Sequence, residues 1–133
     1  MTSTVLYQGE LRTEAVHQKS QVTLLSDAPT DNQGKGESFS PTDLIATALA
    51  QCVLTIIGIK ARDLGIDITN SKAEILKIMA DKPRKIDTIH INLKMLGNPS
   101  DKNKIILERA GLTCPVALSL HESVKQNITF QWN

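Results

Sequence analysis

Residues 40–65 read SPTDLIATALAQCVLTIIGIKARDLG, and this stretch decides the fold. Ser40 is a good helix N-cap, Pro41 suits the first helical position, and Asp43 completes a Ser-x-x-acid capping box. Lys60 and Arg62 suit the negative end of the helix, and Gly65 can close it. The spacing therefore predicts one helix from Pro41 to about Leu64. Ile45, Leu49, Cys52, Ile56 and Ile59 form one apolar stripe, but Leu44, Ala46, Ala50, Val53, Leu54 and Ile57 make the other sides apolar too. A helix of this kind belongs in the centre of a fold. Its apolar run, Leu44 to Ile59, is interrupted by Thr47, Gln51 and Thr55. As a helix that run spans about 24 Å, short of the ~30 Å hydrocarbon core of a bilayer. No membrane partner is expected.

Three strands of a meander are predicted upstream, over residues 3–8, 11–17 and 20–26, followed by a polar loop over 27–39. That loop is long for a compact domain, which favours a functional role. Downstream, residues 67–79 and 85–96 read as long strands. In the second, Ile89, Ile91, Leu93 and Met95 alternate with His90, Asn92 and Lys94, so one face is buried. A short helix is expected over 100–110 with Ser100 as its cap. Another should open at Cys114-Pro115 and run to about Val124, and residues 127–132 close the chain as a strand. The order is βββ-α-ββ-αα-β, an α+β layout with a long buried central helix. One six-stranded sheet is expected on one face of that helix, in a single domain over residues 1–133.

Composition narrows the function. The chain has 133 residues, a net charge of +1 and 41% apolar residues, which fits a globular protein with a real core. Near-neutral charge argues against nucleic-acid binding. Only Tyr7, Phe39, Phe130 and Trp132 are aromatic, too few for base-stacking platforms. The start, Met1-Thr2-Ser3-Thr4, has neither the basic nor the apolar region of a secretory signal. Two cysteines in such a chain are expected to be reduced thiols in a cytoplasm.

The histidines do not cluster: His17 ends a strand, His90 faces solvent by alternation, and His121 falls on the last predicted helix. With no His-x-His or Cys-x-x-Cys spacing, no metal site is expected. Gly34-Lys35-Gly36 is too short for a phosphate loop. That leaves the cysteines. Cys52, among Ala48, Leu49, Thr55 and Ile56, reads on its own either as a small core hydrophobe or as an activated thiol. Cys114, just before Pro115, should sit at a helix N-cap, where backbone N–H groups and the helix dipole favour a thiolate and lower its pKa. On its own it too could be a capping residue without chemistry. Arg12 and Glu37 read on their own as surface charges.

Taken together, the loop Asp31–Ser40, the Ser40-Pro41 step, the Ala- and Leu-rich helix carrying Cys52, and Cys114-Pro115-Val116 opening a later helix resemble the OsmC/Ohr family of peroxide-detoxifying proteins. The match is closest to its general OsmC-like branch. The resemblance covers essentially the whole chain and implies an intertwined homodimer with sites at the subunit interface. It further implies a thiol peroxidase with no metal or organic cofactor. Cys52 would be the peroxidatic residue and Cys114 the resolving one, acting on small organic hydroperoxides with an external dithiol reductant. Arg12, on an early strand, would hold the thiolate. One departure stands out: relatives place Glu directly after the Pro of the pre-helix step, to pair with that Arg, whereas this chain has Thr42. Asp43 should point away from Cys52 and serve as a cap, which leaves Glu37 as the candidate partner of Arg12. The alternative function is a dimeric binding protein with an apolar inter-subunit pocket and little peroxidase activity. A cysteine hydrolase would need a His placed near a Cys, and none is indicated.

Overall fold

The computed structural model describes all residues from Met1 to Asn133. The chain divides into two compact parts, residues 1–45 and 46–133.

The first part holds β1 (Ser3–Gly9), β2 (Arg12–His17) and β3 (Thr23–Asp27), an antiparallel meander. Gly9, Glu10 and Leu11 all have positive φ and turn the chain from β1 into β2. The third strand starts at Thr23, later than residue 20. Gln21 takes positive φ, and its N–H donates to the His17 carbonyl, so residues 18–22 close a turn instead. The loop after β3 folds back on itself. Gly34 and Gly36 donate to the carbonyls of Pro29 and Ala28. A Cβ on Gly34 would lie 1.7 Å from the Ala28 carbonyl oxygen, so only glycine fits there.

The central helix α1 runs from Pro41 to Asp63, as its capping box predicts. The Ser40 hydroxyl accepts from the Asp43 N–H at 3.0 Å, and Asp43 Oδ2 accepts from the Ser40 N–H at 3.0 Å. Asp43 is therefore a cap, as expected.

The second part holds the rest of α1 with β4 (Lys72–Ala80), β5 (Lys85–Met95), α2 (Asp101–Leu112), α3 (Pro115–Ser119) and β6 (Lys125–Trp132). The sheet order is β4-β5-β6. β4 and β5 are antiparallel, while β5 and β6 are parallel. A parallel neighbour needs a crossover, which α2 and α3 supply. Leu49, Val53 and Ile57 of α1 are fully buried in one cluster with Ile89, Ile91, Leu93 and Met95 of β5 and Leu107 of α2. Burying each such side chain is worth about 1.5–3 kcal/mol. α1 is thus a core helix, although its 23 residues are long and apolar enough to cross a membrane.

Four expectations need correction. The strands form two three-stranded sheets, not one of six. β4 starts at Lys72, because Asp67 caps the Thr69 N–H and Asn70 takes positive φ, breaking the extended run. The last helix stops at Ser119, with Leu120 extended, and His121 sits in a turn held by its own ring nitrogen to Ser123. Finally, α1 is not buried all round within this chain. Its covered side carries Ala46, Leu49, Ala50, Val53, Ile57 and Ala61, whereas Ile45 and Ile59 of the expected stripe are exposed.

Candidate active site

Both cysteines lie in the second part of the chain. Cys52 sits in the middle of α1, is partly exposed and packs against the buried core cluster. Cys114 is fully buried as the N-cap of α3, and its sulfur accepts from the Ala117 N–H at 3.4 Å. The two thiols are unbonded yet close enough to perturb each other. The Cys114 thiol is pushed up from its ordinary value, against the expectation of a lowered one. Burial is the main cause, and Cys52 adds to it through hydrogen bonding and charge. The N–H groups of Ala117 and Val116 oppose the rise without overcoming it. The cap geometry was read correctly, but the desolvation of a fully buried sulfur outweighs the pull of a five-residue helix.

Arg12, Asp27 and Glu37 lie together in the first part. Arg12 opens β2 directly opposite Asp27, the last residue of β3. The pair is bidentate, with Nε donating to Oδ1 at 2.6 Å and Nη2 to Oδ2 at 2.8 Å. Asp27 is only 1% exposed, yet both its oxygens are hydrogen-bonded, since its Oδ2 also takes the Glu37 N–H at 3.1 Å. The Glu37 carboxylate reaches Arg12 at 3.6 Å but is largely exposed. It is a loose second partner, because exposed pairs contribute little. The hydrogen bonds from Arg12 hold the Asp27 carboxyl below its usual range, against the effect of burial. Asp27 in turn raises the Arg12 guanidinium further above its ordinary value.

Asp27 is the residue that sequence reasoning missed. The signal was present: an acidic residue ends the strand that pairs with the strand Arg12 begins. Finding it required the register of the β2–β3 hairpin. The hydroxyls of Thr42 and Ser40 share a hydrogen bond of 3.3 Å within the cap.

The OsmC-like protein family model matches residues 34–129. No match was found among curated proteins. A solved structure from Psychrobacter arcticus 273-4, provisionally described as an osmotic stress induced and detoxification response protein, is 51% identical. It covers 98% of this chain and 96% of its own, with a TM-score of 0.95. The organic hydroperoxide resistance protein OsmC of Legionella pneumophila shares the fold at 16% identity and TM-score 0.72, covering 98% of this chain and 97% of its own. OhrB of Bacillus subtilis, an organic hydroperoxide resistance protein, does so at 16% identity and TM-score 0.62, covering 98% of each chain. The match over most of the sequence and the 51% identical relative establish that this chain belongs to the OsmC-like protein family.

Proposed function

We propose that the protein is a thiol-dependent peroxidase that reduces organic hydroperoxides. The observation that carries this reading is the cysteine pair: two adjacent, unbonded thiols, one partly exposed and one fully buried. Cys52, the partly exposed member of the pair, is the one assigned to meet the substrate. Its thiolate attacks the terminal peroxide oxygen, the O–O bond breaks, and the alkoxide leaves with a proton as the alcohol. Cys52 is then a sulfenic acid. Cys114 loses its proton and attacks the Cys52 sulfur, forming a disulfide and releasing water. An external dithiol returns both electrons and is itself oxidised to a disulfide.

The raised Cys114 thiol suits a resolving role, because it stays protonated until its partner is oxidised. Arg12 supplies the cation that holds the Cys52 thiolate and the departing oxygen, with Glu37 beside it. No metal or organic cofactor enters the scheme. The apolar residues around Cys52 favour an alkyl tail over hydrogen peroxide. The working unit is a cytoplasmic homodimer of one OsmC-like domain over residues 1–133. The fold shared with hydroperoxide resistance proteins supports this reading.

With cumene hydroperoxide and a dithiol, Cys52→Ser should abolish turnover. Cys114→Ser should allow one turnover and then accumulate overoxidised Cys52, visible by mass spectrometry as added oxygens. Full activity in Cys52→Ser would overturn the mechanism. Thr42, where the family resemblance implies Glu, favours a second reading as a dimeric binding protein with an apolar inter-subunit pocket. Stoichiometric thiol consumption, with no turnover above that of free cysteine, would support it.

A further inference from the structure

Asp27 is a buried carboxylate with both oxygens hydrogen-bonded. Its carboxylate takes three donors: Arg12 Nε, Arg12 Nη2 and the Glu37 N–H. Its own N–H donates to the Phe39 carbonyl at 3.0 Å. It therefore grips a strand residue and a loop residue at once, from a position that solvent does not reach. A side-on pair of this kind fixes the guanidinium plane. It uses the Nε edge of Arg12 and leaves the Nη1 donors at the far end of the fork. Glu37 cannot set that orientation, being looser and largely exposed.

We infer that Asp27 is the positioning residue of Arg12: it fixes the guanidinium plane of Arg12 and holds the backbone of Glu37 beside it. This rests on the peroxidase reading above for what Arg12 does. Asp27 touches neither sulfur nor substrate in this role. It acts through Arg12, so its effect must disappear when Arg12 is gone.

The test is a double-mutant cycle on kcat/KM for cumene hydroperoxide, using Asp27→Asn, Arg12→Met and the double variant. Each single change should lower kcat/KM by about 10- to 100-fold, the scale seen when a group that orients a functional side chain is lost. The double variant should be no worse than Arg12→Met alone. Multiplying effects, or a folded Asp27→Asn within twofold of wild type, would overturn the inference.

Thr13→Val is the structural control. Thr13 bonds Ser26 at 2.6 Å in the neighbouring register pair of the same strands. Its loss should lower the melting temperature and leave kcat/KM alone. Should Asp27→Asn not fold, Asp27→Glu keeps the charge but lengthens the arm by one methylene. A fold-competent Asp27→Glu with wild-type kcat/KM would also overturn the inference, and a loss of 10-fold or more would support it. If the wild type reduces no hydroperoxide, or Cys52→Ser turns over normally, the peroxidase reading fails separately. The same variants are then compared by the rate of iodoacetamide alkylation at Cys52. Asp27→Asn and Arg12→Met changing that rate in the same direction, without further change in the double variant, supports positioning. No change in Asp27→Asn rules it out.

Discussion

A sulfur at a helix N-cap and a sulfur in a dry pocket face opposite electrostatic demands, and Cys114 is both. The cap offers it the Ala117 and Val116 N–H groups, while full burial removes the water a thiolate needs. Burial prevails, so the folded chain holds the proton more tightly than the unfolded one. A group of this kind stabilises the fold fully below the unfolded thiol pKa of ~8.5, and that contribution is lost as pH rises through the higher folded value. The melting temperature of the reduced wild type should therefore fall above about pH 8.5, and Cys114→Ser should flatten that fall. Iodoacetamide at pH 8 should label Cys52 well before Cys114, as peptide mapping after quenching would read. Equal labelling rates would contradict the burial difference on which the assignment of roles depends.

At the scale of elements, the sequence was informative where the determinants are local. The capping box at Ser40 and Asp43 placed the start of α1, and alternation in β5 named its buried face, because both signals lie within a few residues. The split into two sheets could not be read this way. It depends on which distant edges pair, and the parallel β5–β6 pairing joins residues far apart in sequence. Asp27 was hidden for the same reason, although its partner is only 15 residues away. The seam between α1 and α2 was equally silent. A Cβ on Gly111 would lie 2.8 Å from Ile57 Cδ1, 2.9 Å from Ile57 Cγ1 and 3.0 Å from Val53 Cγ1. Ile57 and Val53 are β-branched and wholly buried, so they yield poorly. Gly111→Ala should gain up to ~1 kcal/mol of helix propensity but lose about 1–3 kcal/mol to overpacking. The net expectation is a loss near 1 kcal/mol, seen as a melting temperature about 3–6 °C lower by calorimetry. Since the Cys114 N–H donates to the Gly111 carbonyl at 3.2 Å, the same change should also slow disulfide formation. A raised melting temperature would show that the seam has slack.

For the whole molecule, the decisive quantity is apolar surface left in water. In the first part of the chain, Val5, Leu6, Tyr7 and Val22 are each more than 60% exposed, and Leu24 and Leu25 add to them. In the second part, Ile59 of α1 and Leu76 of β4 are more than half exposed. Scattered exposed apolar side chains are ordinary, but runs of neighbours on one small sheet mark an interface. A three-stranded sheet with this much uncovered apolar surface gains little from folding unless something covers it. A second copy of the chain is the cover we propose, as an obligate homodimer burying more than ~2,000 Å² in total. Sedimentation at micromolar concentration should give a dimer of 14.6 kDa chains, with an apparent melting temperature that falls on dilution. Leu6→Glu and Val22→Glu discriminate further. On a monomer each is a surface change, typically within about 0.5 kcal/mol of neutral. In a dimer that buries them, each places an unpaired carboxylate in an apolar interface and should dissociate or unfold the protein. A stable, folded monomer in the wild type, or a dimer indifferent to both charges, would rule out this interface and remove the shared site from the peroxidase reading.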